Sequence, residues 1–476
     1  MYKTTYSLLA EPAIVAACLC APFIADCGAD EQSVVAEPAD GYAVVVSQAT
    51  LRLPDWKRVT DVLVAKHGGR LVAYDQLTQA QKELARTRPR YACFVATPEE
   101  TTRQFVADVH RLTRRLDDDL YTDVCWGILT GYDADCALRI AGHKEPLVIR
   151  RVAAGTEVEL SLCDEGVWYC ELQRGKMVRK ERGKAPEQQQ VPADTTKALV
   201  DTLNDYKAQL FVTSGHATER DWQIGFRYRN GHFRCQDGQL FGADTKGQRF
   251  PIHSDNPKVY LPVGNCLMGH IDGPQAMALA FMNSAAVYQM AGYTVPTWYG
   301  YAGWGMLDYF VEQPGRFTLS EAFFANQQAL LHMLETRHPA DARSDPAPGE
   351  VRGNGLLHDR DVLAFYGDPA WEARMQPGDL AWDQVLTCHG TTYSLVITPR
   401  RGLDSFRPIN TNGSQRGGRP IVAILPHRVR DVRVLEGQEL KPVVTENFVL
   451  VPLPEHREVD RAYKVVFQAV PASRSE

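Results

Sequence analysis

Residues 42–48, Tyr-Ala-Val-Val-Val-Ser-Gln, begin the stretch that decides the fold. This run is short and almost entirely apolar, which is the pattern of a strand buried on both faces of a parallel sheet. A helical pattern follows and ends at Gly68-Gly69. The alternation then repeats, with strands at 70–74 and 91–97 and helices at 77–89 and 97–116. We therefore expect an α/β fold, with a parallel sheet covered by helices on both faces.

The 40 residues before this pattern have a different character. Residues 13–25 are apolar and rich in small side chains, and Lys3 is the one positive charge before them. This composition indicates a leader of the export type, and Val15-Ala-Ala-Cys18 resembles a bacterial lipid-attachment box. An unprocessed leader is the alternative. We expect residues 1–40 to be leader and linker in a secreted or envelope-associated protein, and the pattern allows a lipid anchor at the N-terminus.

The rhythm changes after residue 145. Strand-like runs and a hairpin around Arg174-Gly175 interrupt the alternation, and two strong buried strands then end at His216 and Cys266. From residue 378 onward, short strand patterns separated by turn signals continue to the C-terminus with no helical pattern. Such a series of strands predicts a small immunoglobulin-like β-sandwich. The expected parts are leader and linker 1–40, first subdomain 41–144, second and catalytic subdomain 145–377, and sandwich 378–476.

Composition narrows the class of protein. The chain has 52 basic and 58 acidic side chains and a net charge of −6, which argues against a nucleic-acid partner. No uninterrupted apolar run reaches the length of a membrane span. The 11 cysteines show no paired spacing, so we expect no zinc site and no cofactor. Cys163 and Cys170 could form a disulfide bridge across a hairpin, but two free thiols are the favoured interpretation.

Two segments end an apolar strand in a reactive residue. They are LFVTSGH at 210–216 and VYLPVGNC at 259–266. The carboxyl ends of parallel strands meet at one edge of a sheet, so His216 and Cys266 can lie side by side. The imidazole can then take the thiol proton, and the thiolate can attack a carbonyl carbon. Either residue alone is more often a packing or turn residue, but the pair on matching strand ends favours thiol catalysis.

Several motifs within residues 42–375 resemble those of gingipain-type cysteine peptidases, which share the caspase fold. Residues 215–222 (GHATERDW) resemble the segment that carries the catalytic histidine, and residues 266–269 (CLMG) resemble the nucleophile segment. Residues 293–298 (YTVPTW) resemble the segment whose tryptophan lines the specificity pocket. Residues 366–369 (YGDP) resemble a signature near the end of the catalytic region.

This resemblance implies a function and a set of roles. It implies a cysteine endopeptidase that acts on proteins or peptides through a thioester, with His216 as base and Cys266 as nucleophile. Glu165 would orient the base, and the backbone N–H groups of Ala217 and Cys266 would bind the oxyanion. Calcium is often a structural ion in such peptidases. The side chains implied in substrate binding are Trp298, Tyr299 and Tyr301.

Two departures from the family pattern keep alternatives open. The residue after the histidine is Ala217 instead of glycine, and the residue before the cysteine is Asn265 instead of alanine or serine. A caspase-like scaffold or adhesion protein without activity is therefore the second interpretation. Glu165 could equally be a solvated turn residue, and His270 is a rival base, although we expect its side chain to enter the next helix and point away.

The sequence does not decide which substrate side chain is preferred before the scissile bond. Acidic Asp164 and Glu165 would suit a basic side chain, whereas the aromatic cluster at 298–301 would suit an apolar one.

Overall fold

The computed structural model describes residues 41–351, 353–454, 458 and 461–472. The expected leader, export signal and lipid-attachment cysteine within residues 1–40 lie outside the described residues. Among the helices of the described part, none is both long and apolar enough to cross a membrane.

The first region follows the predicted alternation of strands and helices. Its elements are β1 (Tyr42–Ser47), α1 (Gln48–Leu51), α2 (Pro54–His67), β2 (Arg70–Tyr74), α3 (Leu77–Thr87), β3 (Tyr91–Val95), α4 (Arg103–Thr113), β4 (Cys125–Leu129) and α5 (Ala134–Gly142). Helix α2 begins at a proline. Proline is tolerated there because an N–H group at the first position of a helix would have no intrahelical acceptor. It ends at Gly68, which has a φ of +58° and allows the left-handed cap.

The second region contains the remaining strands of the main sheet. Its elements are β5 (Leu147–Ile149), β6 (Arg151–Ala154), β7 (Glu165–Tyr169), β8 (Lys176–Lys180), β9 (Glu187–Gln190), α6 (Thr196–Asn204), β10 (Leu210–Thr213), β11 (Asp221–Gln223), β12 (His232–Gln236), β13 (Gln239–Ala243), β14 (Arg249–Ile252), β15 (Lys258–Pro262), α7 (Met277–Ser284), β16 (Val287–Tyr293), α8 (Tyr301–Phe310), α9 (Leu319–Arg337), α10 (Pro339–Ala342), α11 (Gly355–Arg360), β17 (Leu363–Tyr366) and β18 (Ala373–Met375). Strands β4, β10 and β15 are buried along their whole length, as their apolar sequences predict.

One twelve-stranded sheet joins the two expected subdomains. Its strand order is β2-β1-β3-β4-β17-β16-β15-β10-β6-β7-β8-β9. The neighbours of β1 and of β10 all pair with them in parallel. Strand β17 is antiparallel to β16 and is bridged to β4 where Tyr366 lies opposite Ile128. The sheet is thus mixed but mostly parallel, and the α/β prediction is confirmed.

Smaller antiparallel units flank the main sheet. Strands β7, β8 and β9 form its edge, and β11 to β14 form a separate four-stranded sheet. The hairpin turn between β7 and β8 contains Gly175, with a φ of +76°. Cys163 and Cys170 lie on either side of β7, and both are free and buried.

The C-terminal region is built from antiparallel sheets. Its strands are β19 (Trp382–His389), β20 (Thr392–Pro399), β21 (Ile421–Ile424), β22 (Val429–Glu436), β23 (Val443–Val444), β24 (Phe448–Val451) and β25 (Tyr463–Pro471). Four of them form a sheet in the order β19-β20-β25-β22, and the other three form a sheet in the order β21-β24-β23. Tyr393, Leu395 and Phe467 belong to a hydrophobic core that lies within this region.

The three-stranded sheet also packs on the main sheet. Val422, Phe448 and Leu450 belong to the large core of the main sheet. The ring of Phe448 contacts that of Tyr121 edge to face, with the centroids 5.3 Å apart. Arg90 also donates a hydrogen bond to the Leu425 carbonyl at 3.1 Å. The C-terminal region therefore shares an apolar and hydrogen-bonded boundary with the main sheet.

Candidate active site

The two strands that end in reactive residues are neighbours. β10 and β15 pair in parallel from Leu210 opposite Val259 to Thr213 opposite Pro262. The pairing continues past the last ladder residue, because the Val263 N–H donates to the Thr213 carbonyl at 3.0 Å. The segments that follow β10 and β15 then both turn at the same edge of the sheet. The structure therefore brings together the segments of His216 and Cys266 that the sequence predicts to be adjacent.

The turn that carries His216 is fixed by contacts with Trp222 and Phe226. Gly215 has a φ of +97°, and His216 is exposed at the turn. Its ring packs on Phe226, with the centroids 4.7 Å apart. The buried indole of Trp222 donates to the Ser214 carbonyl at 2.8 Å. The tryptophan of the histidine motif thus fixes the backbone just before the imidazole.

The turn that carries Cys266 is anchored to the segment after β16. The Thr297 N–H donates to the Cys266 sulfur at 3.2 Å, and the thiol is half-buried. Leu267 has a φ of +58°, so the chain bends sharply just after the sulfur. A Cβ on Gly269 would lie only 2.1 Å from the Gly292 carbonyl oxygen. The glycine three residues after the cysteine is therefore required by the close approach of the two backbones.

Asn265 joins the two turns directly. Its side-chain oxygen accepts a hydrogen bond from the Thr213 hydroxyl at 2.6 Å. Its side-chain N–H donates to the Gly215 carbonyl at 3.0 Å. The residue is fully buried, so the departure from alanine or serine has a structural role. This clamp fixes the residue before Cys266 against the residue before His216, and sequence analysis missed it.

Two backbone donors at these turns have no hydrogen-bond partner within the described chain. Ala217 lies opposite Trp222 in a bridge whose bonds run from Gln223 to His216 and from Thr218 to Asp221. The Ala217 N–H is therefore not used by that bridge. Neither it nor the Cys266 N–H donates a hydrogen bond in the described residues. Both remain available to a developing negative charge.

The structure places Glu165 away from the histidine, contrary to the expectation that it orients the base. Glu165 begins β7 opposite Arg151, at the amino edge of the parallel strands. Its carboxylate lies 3.9 Å from Arg182, and that of Asp164 lies 3.3 Å from the same guanidinium. In the register of the sheet it stands level with Gln209, about 13 Å before the end of β10. Strand direction, which the motif does not reveal, therefore makes the Glu165 assignment wrong.

Glu171 is the buried acid at the carboxyl edge. Thr156 donates a hydrogen bond to its carboxylate at 2.6 Å, and its backbone carbonyl accepts from the Phe226 N–H at 2.8 Å. Burial raises the pKa of Glu171, and the Thr156 hydrogen bond and the nearby side chain of Asn412 oppose that rise. The second carboxylate oxygen, Oε2, is buried and has no partner. Glu157 lies close enough to raise the same pKa.

The aromatic residues proposed for substrate binding divide into two kinds. Trp298 is 52% exposed, and its ring packs on Tyr299 and His358 at 6.0 and 5.3 Å. Tyr301 is instead the buried first residue of α8, and the Arg419 guanidinium lies 3.5 Å above its ring. Tyr301 therefore belongs to the packing beneath the site and does not line an open cleft. Phe226 and Leu172 are further exposed apolar side chains on this side, at 40% and 38%.

His270 lies in the turn after Cys266 and not in a helix. Its N–H donates to the Leu267 carbonyl at 2.9 Å, and the next helix, α7, begins only at Met277. The expectation that it enters that helix is therefore wrong. Burial lowers the pKa of His270, and the nearby Arg103 lowers it further. Its Nδ1 atom is buried without a hydrogen-bond partner in the structure.

A carboxylate cluster lies at the boundary with the C-terminal region. Oxygen atoms of Asp117, Asp123 and Glu446 all lie within 4.8 Å of one another, which is a spacing that could hold a metal ion. Oxygen ligands of this type suit calcium. Arg428 pairs with Glu446 at 2.7 Å, and the Leu116 N–H donates to Asp123 at 3.3 Å. The cluster can therefore also persist as a hydrogen-bonded ion-pair network.

A cavity of about 510 Å³ opens at the ends of β1, β2 and β3. Ser47, Tyr74 and Glu100 are among its lining residues. Arg103, at the start of α4, donates to the Thr294 carbonyl just after β16, at 2.7 Å. The carboxyl ends of β3 and β16 therefore lie at the same edge of the sheet.

Comparison with known proteins adds little to this geometry. No protein-family model matches the chain, and no curated protein matches it. One solved structure, described as "Structure of Protease", aligns with 91% of this chain and 97% of its own chain. That likeness has a TM-score of 0.44 at 10% sequence identity, which is too low to carry an argument about fold or activity.

Proposed function

We propose that this protein is a cysteine endopeptidase of the caspase-like, gingipain-type group, with His216 as base and Cys266 as nucleophile. The observation that carries the proposal is the parallel pairing of β10 and β15, whose adjacent ends present these two side chains. The Asn265 clamp between the two turns adds a fixed separation to this pairing. A histidine and a cysteine held on neighbouring turns can work as an acid–base and nucleophile pair.

The proposed reaction proceeds in two stages. His216 takes the proton of the Cys266 thiol, and the thiolate attacks the peptide carbonyl carbon. The N–H groups of Ala217 and Cys266 hold the oxyanion, the C–N bond breaks, and the His216 imidazolium protonates the leaving amine. Water then attacks the thioester with His216 as base. The carboxylic acid product leaves and the Cys266 thiol is regenerated.

A thiol-labelling experiment tests the proposal. Iodoacetamide should alkylate Cys266 with loss of peptidase activity, and Cys266→Ala should abolish hydrolysis of a denatured protein substrate. Cys388 is an exposed free thiol in the C-terminal region, so Cys388→Ala is the matched control and should retain activity. Full hydrolysis by Cys266→Ala would refute the nucleophile assignment. A wild-type chain without activity and without preferential labelling of Cys266 would support the scaffold interpretation instead.

We also propose a preference for a basic side chain before the scissile bond. The buried Oε2 of Glu171 supports this, because it has no hydrogen-bond partner among the described residues, and a nearby cation would favour ionisation of an acid whose pKa is raised by burial. Glu171→Gln should reduce kcat/KM for a lysine or arginine substrate by about 100-fold, the effect of losing one buried charge pair. Glu159→Gln, which alters an acid bonded to Ser161, is the control and should have little effect. Equal loss on basic and neutral substrates would contradict the preference.

The finer assignments rest on the same proposal. An immunoglobulin-like architecture for residues 378–476 and export of the protein are proposed from the sequence patterns. Calcium as a structural ion would fit the cluster of Asp117, Asp123 and Glu446. Loss of thermal stability on adding a chelator would support a bound ion, and an unchanged melting temperature would argue against it.

A further inference from the structure

A segment of the C-terminal region runs beside the candidate active site. Residues 409–420, here called the strap, connect β20 with β21. Arg416 of the strap donates to Asp308 of α8 at 2.7 Å, and the Gly417 N–H donates to the same carboxylate at 3.0 Å. Arg419 also donates to Asp308, at 2.8 Å. The three charged side chains are almost fully buried, so the strap is fixed firmly along α8.

Trp304 transmits the position of the strap to the nucleophile turn. A Cβ on Gly413 of the strap would lie 2.5 Å from the Trp304 ring. A Cβ on Gly264, two residues before Cys266, would lie 3.1 Å from the same ring. The indole is therefore held between the strap and the start of the nucleophile turn. Any change in the position of Gly413 acts on that turn through one rigid side chain.

Two other contacts reach the substrate side of the site. A Cβ on Gly300 would lie 3.1 Å from the Ser414 Cβ, so the strap also approaches the segment that carries Trp298. The side chain of Asn412 lies near enough to the buried Glu171 to favour its ionised form. The strap therefore reaches three parts of the site: the nucleophile turn through Trp304, the exposed aromatic segment and the buried acid.

We infer that the strap is a positioning element of the active site, through which the C-terminal region completes the substrate cleft. This inference rests on the proposed function for its catalytic meaning, but its geometry can be tested separately. Gly413 and Asn412 are the positioning residues, since they act through Trp304 and Glu171 and touch no reacting atom. The C-terminal region thus contributes to the reactivity of Cys266.

Two glycines of the strap provide a matched pair of variants. Gly413 and Gly418 both have positive φ, +107° and +68°, so alanine strains the backbone at either position. Only at Gly413 does the added methyl group meet Trp304, whereas nothing lies within 4 Å at Gly418. We expect Gly413→Ala to slow alkylation of Cys266 by about tenfold, because misplacing a reacting group by a fraction of an ångström has effects of this size. Gly418→Ala should stay within about twofold of wild type.

The alkylation rate is measured by mass spectrometry across a range of pH, together with the melting temperature and, on peptide substrates, kcat and KM. Asn412→Ala is a second variant with little risk of misfolding, and Thr411→Ala, an exposed neighbour, is its control. We expect Asn412→Ala to raise KM for a basic substrate with kcat nearly unchanged. Equal alkylation rates and pH profiles in Gly413→Ala and Gly418→Ala, with unchanged KM in Asn412→Ala, would overturn the inference.

The failure of this inference is distinguishable from failure of the proposed function. If wild type hydrolyses peptides and both glycine variants behave alike, the strap has no positioning role and the peptidase proposal stands. If wild type hydrolyses nothing but Cys266 alkylation still slows only in Gly413→Ala, the peptidase proposal fails and the strap still positions the turn.

Discussion

Two groups of strand ends lie at the same edge of the twelve-stranded sheet, and they differ in how far their polar groups are hydrogen-bonded within the protein. At the ends of β1 and β3, the Ser47 hydroxyl donates to Glu100 at 2.5 Å, and the Thr50 hydroxyl also donates to Glu100. The Thr97 N–H adds a third hydrogen bond to the same carboxylate, at 3.3 Å. Every acceptor and donor of this set is used within the protein.

At the ends of β10 and β15 two backbone N–H groups are left without a partner in the described residues. His216 is exposed, Cys266 is half-buried, and neither the Ala217 nor the Cys266 N–H donates within the described residues. The clamp of Asn265 fixes the turns without using those groups. The comparison teaches that topology alone does not make a site. Reactivity is expected where the backbone is fixed and backbone donors beside the reactive side chains remain unpaired.

The largest expected effect is the loss of the base. His216→Ala should lower kcat by about 10²–10⁴-fold, because the Cys266 thiol loses its proton acceptor. His253→Ala, at another exposed histidine, is the control and should keep wild-type turnover. Steady-state kinetics on a peptide substrate give the measurement. Wild-type turnover in His216→Ala would remove the difference between the two groups of strand ends.

A second prediction concerns stability and compares two buried aspartates. Burial opposes ionisation of Asp368, but hydrogen bonds and positive charge from His67 and Lys66 outweigh it and lower the pKa. Asp368→Asn should reduce the free energy of unfolding at pH 7 by about 3–5 kcal/mol, since it leaves Lys66 buried without its partner. Because the folded pKa is lowered, this contribution is present above about pH 4 and is lost as the pH falls.

Asp359, beneath the start of α8, should behave in the opposite sense. Burial raises its pKa to about 6, although Ala302 and Tyr293 donate hydrogen bonds to it. The folded state therefore keeps this proton while the unfolded state loses it, and stability falls as the pH rises from about 4 to 6. Urea unfolding across pH should show that fall in wild type and not in Asp359→Asn. Identical pH profiles for the two proteins would contradict the assignment.

The clamp gives a third and smaller effect. Asn265→Ala should cost about 1–3 kcal/mol of stability because the Thr213 hydroxyl loses a buried partner. It should also lower kcat, since the two turns are no longer joined. Asn283→Ala removes a hydrogen bond to the Gly238 carbonyl at the end of α7. This control should lose stability alone. A clamp variant with unchanged kcat would show that the strand pairing suffices to align the site.

The smallest expected effect is at the saturated strand ends. Glu100→Gln keeps the shape of the side chain but replaces charged acceptors for the Ser47 and Thr50 hydroxyls by a neutral amide. We expect a loss of about 1 kcal/mol in the free energy of unfolding and no change in kcat/KM. Differential unfolding in urea and steady-state kinetics measure the two quantities. A large loss of activity would mean that the two groups of strand ends are coupled.

The sequence predicted those features that depend on local pattern. The buried runs at β1, β10 and β15 are strands as expected, because a strand covered on both faces must be apolar throughout. The adjacency of the segments that carry His216 and Cys266 follows from the same reasoning, since it needs only two parallel strands that are neighbours.

Most of the misses depend on long-range arrangement. Glu165 stands at the wrong edge because strand direction and register decide which end of β7 faces the histidine. Tyr301 is buried because Arg419, 118 residues later in the chain, covers its ring. Glu171 could have been considered as the acid of the site, because it follows β7, the strand that Glu165 begins. Its neighbours Thr156 and Asn412 come from other segments of the chain, so the sequence does not reveal them.

The position of the strap in the sequence also sets when, during synthesis, the contacts with Trp304 and Glu171 can form. A nascent chain that has emerged only as far as Gly378 already contains both strand-end turns, but residues 409–420 are not yet made. In such a chain Trp304 would have no contact with Gly413, and Glu171 none with Asn412. Since chains fold progressively from the N-terminus, the cleft that we infer is completed only after residues 409–420 have been made. In the role that we infer for the strap, the order of segments along the chain places completion of the cleft after synthesis of both strand-end turns.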